Sequence, residues 1–269
     1  MTRGAILFAF NNQKFDYYKM AVATAKRINH FLNIPVTVVT NDDSITDTTY
    51  KFDNTITVEA DQTNYREKQI WINKGRYQAY ELSPYDETVI LDADMLFLED
   101  VSHWWNYMSK FEMLCTSKVK TYRNQFVVDN PYRKTFISNQ LPNVYSAFTY
   151  FKKTNLTKAV FNLVTNIIIY WDEWTLRYTP EDRQIRPSLD VALALAIKVI
   201  GIEDEVLSPF DFPTFTHMKS GCQGWKNYSE DWQAHLGVYN SDAGIRLGNH
   251  LQSGILHYVD KGFLKELCK

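Results

Sequence analysis

The chain has 269 residues, of which 45% are hydrophobic and 15% aromatic, so it is long enough to bury a sizeable core in one elaborated domain. Its 29 basic and 31 acidic side chains give a formal net charge of -2, which argues against a general electrostatic grip on nucleic acid or membrane. Three widely spaced cysteines, Cys115, Cys222 and Cys268, fit neither a disulfide framework nor a zinc knuckle. With no signal-peptide or membrane-spanning pattern, we expect a cytoplasmic protein.

The first half of the chain predicts alternating strands and helices. Its predicted strands cover residues 4–10, 36–40 and 55–58, and its predicted helices cover residues 17–32 and 65–82. The first strand is a continuous apolar run, which is typical of a strand buried on both faces of a parallel sheet. Ser83-Pro84 ends the second helix, because a residue before proline avoids the α region. The first strand, helix and strand together indicate a βαβ unit.

The second half predicts further strands and helices with longer connections. Its predicted strands cover residues 111–117, 143–151, 215–219 and 254–260, and its predicted helices cover residues 101–108, 155–171 and 189–200. Thr154 is the expected N-cap of the second of these helices, and Gly201 is the expected end of the third. Residues 118–142 have no clear period and predict a mobile loop. We therefore expect a single α/β domain over residues 1–269, with a central, mostly parallel sheet flanked by helices.

Two carboxylates interrupt an apolar segment in the first half. Asp92-Ala93-Asp94 lies between residues 89–91, a predicted strand, and residues 95–98, a second apolar run. A buried carboxylate is costly unless it pairs with a cation, binds a metal or changes its protonation state. Ligands gather at the carboxyl ends of strands in open α/β sheets, so we predict a divalent ion there, Mn2+ or Mg2+, bridging two substrate phosphates. The alternative is that one aspartate caps a turn and the other pairs with a basic side chain.

This segment resembles the DxD strand of GT-A glycosyltransferases, particularly family 8, the glycogenin-like and galactosyltransferase-like group. The matching stretch is VILDADMLFLEDV, residues 89–101, and ILHYVDKGF, residues 255–263, is similar to the family's closing motif. The resemblance implies a GT-A, Rossmann-like fold in which His257 is the third metal ligand and Lys261 contacts the diphosphate. Here the lysine follows the histidine more closely than in the family, and the proline and tryptophan that usually come after it are missing.

The resemblance also assigns roles elsewhere in the chain. It implies that residues 1–100 form a nucleotide-binding half and that residues 101–269 bind the donor sugar and the acceptor. The residues that it places against the nucleotide sugar are Phe10, Asn11, Asn12, Asp42, Lys74, Arg76, Ala93, Ser146 and Lys261. It gives catalytic roles to Asp94 and Asp190. Structural interpretations compete with these roles, for example a turn at the two asparagines and helix-dipole complementation at Asp190.

Histidine chemistry fits the predicted metal site. A neutral imidazole added to two carboxylates leaves open positions on the ion for diphosphate oxygens. His217 and His250 compete with His257 for this position, and the closing motif favours His257.

Together these features predict a metal-dependent glycosyltransferase. The resemblance implies transfer from a nucleotide sugar, with UDP as the expected nucleotide, to an acceptor hydroxyl with retention of anomeric configuration. Residues 141–153, 186–194 and 212–225 also resemble glycosyltransferase-like proteins of T4-like and marine bacteriophages, some of whose relatives decorate hydroxymethylated pyrimidines in phage DNA. We therefore expect DNA carrying 5-hydroxymethylcytosine as the acceptor. A basic segment suited to a phosphate backbone comprises Lys118, Lys120, Arg123, Arg133 and Lys134.

Several alternatives stay open from the sequence. The acceptor is otherwise a surface glycan, a protein or a small molecule, or the chain is a noncatalytic nucleotide-sugar-binding protein. A nucleotidyltransferase would share the layered fold, but the segment after the first strand lacks the glycine-rich, basic phosphate loop of that class. The basic segment is more typical of a solvated loop than of a DNA-binding surface. No membrane partner is predicted, and the oligomeric state is not specified by the sequence.

Overall fold

The computed structural model describes residues 1–11, 15–41, 50–58, 65–66, 69–70, 75–127, 133–208, 210–221, 236–241 and 244–258. Four predicted site residues lie outside these ranges, namely Asn12, Asp42, Lys74 and Lys261.

Within these ranges the chain alternates between strands and helices. The strands are β1 (Arg3–Ala9), β2 (Val36–Thr40), β3 (Asn54–Thr57), β4 (Tyr65–Arg66), β5 (Gln69–Ile70), β6 (Glu87–Asp92), β7 (Met95–Phe97), β8 (Met113–Thr116), β9 (Tyr145–Lys152), β10 (Thr216–His217), β11 (Val238–Ser241), β12 (Gly244–Leu247), β13 (His250–Leu251) and β14 (Ile255–His257). The α-helices are α1 (Tyr17–Leu32), α2 (Ala79–Leu82), α3 (Trp105–Met108), α4 (Lys134–Ser138), α5 (Asn155–Ile169), α6 (Trp171–Tyr178), α7 (Leu189–Ile200), α8 (Glu203–Val206) and α9 (Met218–Gly221).

Six strands form the main sheet, in the order β3-β2-β1-β6-β9-β8. The pairs β3-β2, β2-β1 and β1-β6 are parallel, whereas β9 is antiparallel to both of its neighbours, so β9 alone runs against the other five strands of this sheet. Side chains of β1 alternate between two apolar clusters: Ala5 and Leu7 pack with α1, and Ile6 and Phe8 pack with α5 and α7. The predicted α/β class, with a sheet flanked by helices, is confirmed, and the sheet is mixed.

Helix α1 begins and ends where the sequence predicts. Asp16 caps its first turn by accepting a hydrogen bond from the backbone N–H of Lys19 at 2.9 Å. Asn33 ends it in the left-handed conformation, with φ of 49°, and Pro35 then leads into β2. The apolar face of α1 is buried against β1 and β2, so this βαβ unit forms as expected.

The predicted helix over residues 65–82 is wrong in its first part and right from Arg76 onward. Strands β4 and β5 pair antiparallel within it, and the helical part that the structure describes in this segment is a short 3-10 turn, Arg76–Gln78, that continues into α2. Gly75 precedes this turn with φ of +90°, a conformation that side-chain-bearing residues rarely adopt in or before a helix. The predicted end is right, because Ser83 is extended before Pro84.

The second half follows its predicted elements with three corrections. The first is that the strand predicted over residues 215–219 covers only Thr216–His217, after which Met218 begins α9. Thr154 caps α5 through a reciprocal pair of hydrogen bonds with Thr157, and Gly201 ends α7 with φ of +79°, as expected. The predicted helix over residues 155–171 instead ends at Ile169, and Trp171 starts α6. The predicted loop over residues 118–142 contains α4, a short helix that is too brief to produce a visible period.

A second sheet lies next to the end of β6. Its order is β10-β14-β7, with β14 antiparallel to β7 and parallel to β10. Because β7 follows β6 after two residues, this sheet joins the last strands of the described chain to the Asp92-Ala93-Asp94 turn. Among the helices that the structure describes, none combines the length and the apolar character needed to cross a bilayer.

Candidate metal centre

The two aspartates lie on the turn that connects β6 to β7. Asp92 is the last residue of β6 and pairs in register with Phe8 of β1, so it stands at the carboxyl end of two adjacent parallel strands. Thr24 of α1 contacts this turn: its buried hydroxyl lies 2.8 Å from the carbonyl oxygen of Ala93 and 2.7 Å from that of Met95. The carbonyls on either side of Asp94 are therefore anchored to a helix of the core.

His257 reaches this turn through strand pairing. It stands opposite Met95 in the β14-β7 ladder, one residue from Asp94, and the backbone N–H of Tyr258 donates to the carbonyl oxygen of Asp94 at 3.2 Å. His217 on β10 is the register partner of His257 on the other side of β14. The fold thus brings residues from distant parts of the sequence to one end of the main sheet.

Three ligand-type side chains converge there. The Nε2 atom of His257 lies 3.2 Å from Oδ1 of Asp94 and 3.5 Å from Oδ2 of Asp92. Asp94 and His257 are buried, with 6% and 7% of their surface exposed, and Asp92 is half-buried. One ligand atom from each residue lies within 4.8 Å of the other two, so this group could hold a metal ion.

The chemistry of these donors fits a hard divalent cation. Two carboxylates supply oxygen ligands of the kind that Mg2+ and Mn2+ prefer, and an imidazole is compatible with Mn2+. The Nδ1 atom of His257 is buried and has no hydrogen-bond partner among the described residues. Its Nε2 atom faces the two carboxylates, so this ring nitrogen is the one positioned to bind an ion.

Arg76 belongs to the same site. Its Nη1 atom pairs with Oδ1 of Asp92, and its Nη2 atom donates to the carbonyl oxygen of Ser146 at 2.6 Å. The arginine is 5% exposed, so it lies within the protein and not on a solvated helix face. The alternative predicted from the sequence, in which one aspartate pairs with a basic side chain, is therefore found in part for Asp92. That partner takes Oδ1, while Oδ2 stays on the side of His257.

Asp190 lies at the start of α7 and is half-buried. Its Oδ1 atom accepts hydrogen bonds from the backbone N–H and the hydroxyl of Ser146, at 2.9 and 2.5 Å, and its Oδ2 atom accepts from Nη1 of Arg133 at 2.7 Å. Burial alone would raise the pKa of Asp190, but Arg133, Ser146 and Arg76 together hold it below its ordinary value. The carboxylate is ionised and engaged by protein groups on both oxygens.

Two residues predicted to contact the nucleotide, Phe10 and Asn11, lie near the end of β1. Phe10 is half-buried and stacks near Phe8, with ring centroids 6.4 Å apart. The carboxamide oxygen of Asn11 accepts from the backbone N–H of Tyr18 at 3.0 Å, and the Asn11 backbone N–H donates to the Asn41 side chain at 2.8 Å. Asn11 therefore joins the ends of β1 and β2 to the start of α1, the turn role that competed with nucleotide contact.

The competing histidines separate clearly. His250 is exposed on β13, where its ring packs 5.8 Å from that of Tyr122, and it is not part of the cluster. The ring of His217 lies 5.3 Å from that of His257. Burial, followed by the proximity of His257, lowers the pKa of His217 well below its usual range, so this side chain is neutral at pH 7. Among the described residues, His257 is the histidine that completes the group with the two aspartates.

Two functional residues had no readable signal in the sequence. Thr24 is one of several small residues on the buried face of α1, and its contact with the turn joins residues 69 positions apart. Arg133 was assigned to a basic segment facing solvent, yet it is 7% exposed and pairs with Asp190. The basic segment is therefore not a continuous phosphate-tracking surface. Its Lys118 also pairs with Asp211, at 2.9 Å.

In comparisons with known proteins, no protein-family model and no curated protein matches this chain.

Proposed function

We propose that this chain is a metal-dependent glycosyltransferase of the GT-A type that takes its sugar from a nucleotide donor, with UDP as the nucleotide. The observation that carries the proposal is the convergence of Asp92, Asp94 and His257 at the carboxyl end of β6. Open α/β sheets bind ligands at this end of their strands, which supports a nucleotide site beside β1 and β6. A divalent cation held by this carboxylate pair would give the diphosphate a binding position at the strand end.

Several side chains would together stabilise the leaving group. When bound, a divalent cation supplies Lewis-acid charge that stabilises the departing diphosphate. Asp92, Asp94 and His257 hold that cation, and Thr24 fixes the main chain on which the aspartates stand. Arg76 adds a fixed positive charge next to Asp92, in a buried position where it needs little reorganisation during the reaction.

Asp190 is proposed to act on the donor side of the site through its neighbours. Both of its oxygens already accept hydrogen bonds from Ser146 or Arg133, so direct attack on an anomeric carbon would require breaking them. This favours a positioning role over that of a nucleophile. Retention of configuration, which the family resemblance implies, stays a prediction that NMR of the anomeric proton in the product can check.

The proposed acceptor is 5-hydroxymethylcytosine in DNA, on the resemblance to phage glycosyltransferase-like proteins. A hydroxymethyl group at pyrimidine position five is exposed in the major groove, so such an acceptor is reachable without flipping the base. The basic segment lends this acceptor less support than expected, because Arg133 is internal and Lys118 is paired.

Turnover of a nucleotide-sugar panel tests the proposal. The protein is incubated with Mn2+ and each donor, with DNA containing either 5-hydroxymethylcytosine or unmodified cytosine, and nucleoside diphosphate release is measured alongside the mass of the digested nucleosides. We expect one donor to be consumed, a hexose or pentose to appear on the modified base only, and Asp94→Asn to lower the rate by at least about a hundredfold. Donor hydrolysis without transfer to DNA would replace the acceptor with another hydroxyl. No metal-dependent turnover would favour a nucleotide-sugar-binding protein, and pyrophosphate release would favour a nucleotidyltransferase.

A further inference from the structure

A buried polar network runs from Arg133 to the metal centre. Arg133 donates to Asp190, Asp190 accepts both hydrogen bonds of Ser146, the carbonyl oxygen of Ser146 accepts from Arg76, and Arg76 pairs with Asp92. Arg133, Ser146 and Arg76 are each no more than 7% exposed. Positive and negative charges alternate along this path, so each buried arginine has a half-buried carboxylate as its partner of opposite sign.

Arg133 is held in place from every side. Its guanidinium lies between two aromatic rings, with its central carbon 3.5 Å from the centroid of Phe136 and 4.2 Å from that of Tyr145. Its Nε atom donates to Asn143 at 3.0 Å, and its Nη2 atom donates to the carbonyl oxygen of Val144. Every part of the guanidinium fork is therefore used, which suits arginine and not lysine.

Arg76, the last arginine of the network, determines which carboxylate oxygen of Asp92 is available to an ion. Arg76 engages Oδ1 of Asp92, and Oδ2 is the oxygen near His257. The position of Arg76 depends on the Ser146 carbonyl, and the position of Ser146 depends on Asp190. Side chains in the outer shell of a metal site orient its ligands, and their loss commonly weakens metal binding 10- to 100-fold.

We propose that Arg133 and Asp190 are positioning residues that set the affinity of the Asp92–Asp94–His257 group for a divalent cation, acting through Ser146 and Arg76. This inference rests on the proposed function only in that it uses the same metal centre. The proposed role of Asp190 and Arg133 differs from the roles predicted from the sequence, which were a donor-sugar contact for Asp190 and a DNA contact for Arg133.

Calorimetric titration of Mn2+ into variants without any donor tests the proposal. Arg133→Met removes the guanidinium at the start of the network. Asp190→Asn removes the charge of the carboxylate but keeps the shape of the side chain, and it is the variant to use if Arg133→Met does not fold. We expect each to weaken Mn2+ binding about tenfold or more. Glu87→Gln is the matched control: Glu87 is 2% exposed and pairs with Arg3 at 3.1 Å, but it lies at the opposite end of β6 from Asp92. The control should bind Mn2+ within about twofold of the wild type.

A double-mutant cycle with Arg76→Lys separates positioning from general damage. If the effect passes through Arg76, Arg133→Met adds little further loss of Mn2+ affinity once Arg76 has been replaced, whereas independent effects multiply. Unchanged Mn2+ affinity in both Arg133→Met and Asp190→Asn, or full multiplication in the cycle, overturns the positioning role while leaving the metal centre and the proposed function in place. A wild-type protein that binds no Mn2+ overturns both.

Discussion

Thr24 is the residue on which the geometry of the aspartate turn depends most directly. Its hydroxyl is buried and serves the carbonyl oxygens of both Ala93 and Met95. Thr24→Val keeps the shape of the side chain but leaves these carbonyls without that donor, so we expect a loss of about 1–3 kcal/mol in the free energy of unfolding. Mn2+ binding should weaken as well, because Asp94 lies between the two carbonyls. Urea unfolding and calorimetry measure the two effects.

A matched threonine provides the control for this substitution. Thr165 on α5 donates to the carbonyl oxygen of Phe161 at 2.9 Å, within one helix and away from the metal centre. Thr165→Val should change stability by no more than about 0.5 kcal/mol, because that carbonyl also accepts its helical hydrogen bond. Equal stability losses for the two variants, or an unaltered Mn2+ affinity in Thr24→Val, would show that the hydroxyl does not hold the turn.

At the residue scale, the sequence predicts chemistry better than it predicts contacts. Asp92 and Asp94 are recognisable because two carboxylates next to an apolar strand require compensation. Thr24 and Arg133 are not recognisable, since a threonine in a helix and an arginine in a polar segment are ordinary until the fold supplies their partners. His257 was identified from the resemblance of the closing motif, and strand pairing with β7 gives that identification its physical basis.

Gly75 immediately precedes the 3-10 turn that positions Arg76 next to Asp92. A Cβ atom added there would lie 2.8 Å from Cζ of Phe10, and the φ of +90° is itself unfavourable for alanine. Gly201, at the end of α7, has a similar φ of +79°, but an added Cβ would meet nothing within 4 Å. We expect Gly201→Ala to cost about 1–2 kcal/mol of unfolding free energy, from the backbone alone. Gly75→Ala should cost about 1 kcal/mol more, because the Phe10 ring must move as well.

Urea unfolding of the two glycine variants side by side measures this difference. If they lose the same stability, the approach of Gly75 to Phe10 is not a constraint on the 3-10 turn. The first part of the helix predicted over residues 65–82 was wrong, because β4 and β5 pair there. A single glycine inside an apparent helical period carries little weight in a sequence window, whereas in the structure the positive φ of Gly75 immediately precedes the 3-10 turn that begins at Arg76. The βαβ unit, by contrast, has long local patterns and clear ends, so it was predictable.

At the scale of the whole molecule, the site forms because two sheets meet at one turn. The main sheet provides Asp92 at the carboxyl end of β6, and the smaller sheet provides His257 from β14. The sequence predicts both strands, but it contains no local signal for the pairing of β14 with β7, because that pairing joins distant segments. The fold class was therefore predictable from alternating elements, and the completed cluster required tertiary structure or family resemblance.

Linkage between UDP and Mn2+ is the measurement that tests the central claim most directly. UDP is titrated calorimetrically into the wild type, Asp94→Asn and His250→Ala, each with excess Mn2+ and with EDTA; His250 is an exposed histidine outside the cluster and serves as the control. If the cluster holds an ion that contacts the diphosphate, Mn2+ should strengthen UDP binding about tenfold or more in the wild type and in His250→Ala, and not in Asp94→Asn. UDP affinity that is the same with Mn2+ and with EDTA, or an enhancement that survives in Asp94→Asn, would contradict the assignment of this cluster as the nucleotide-binding metal centre.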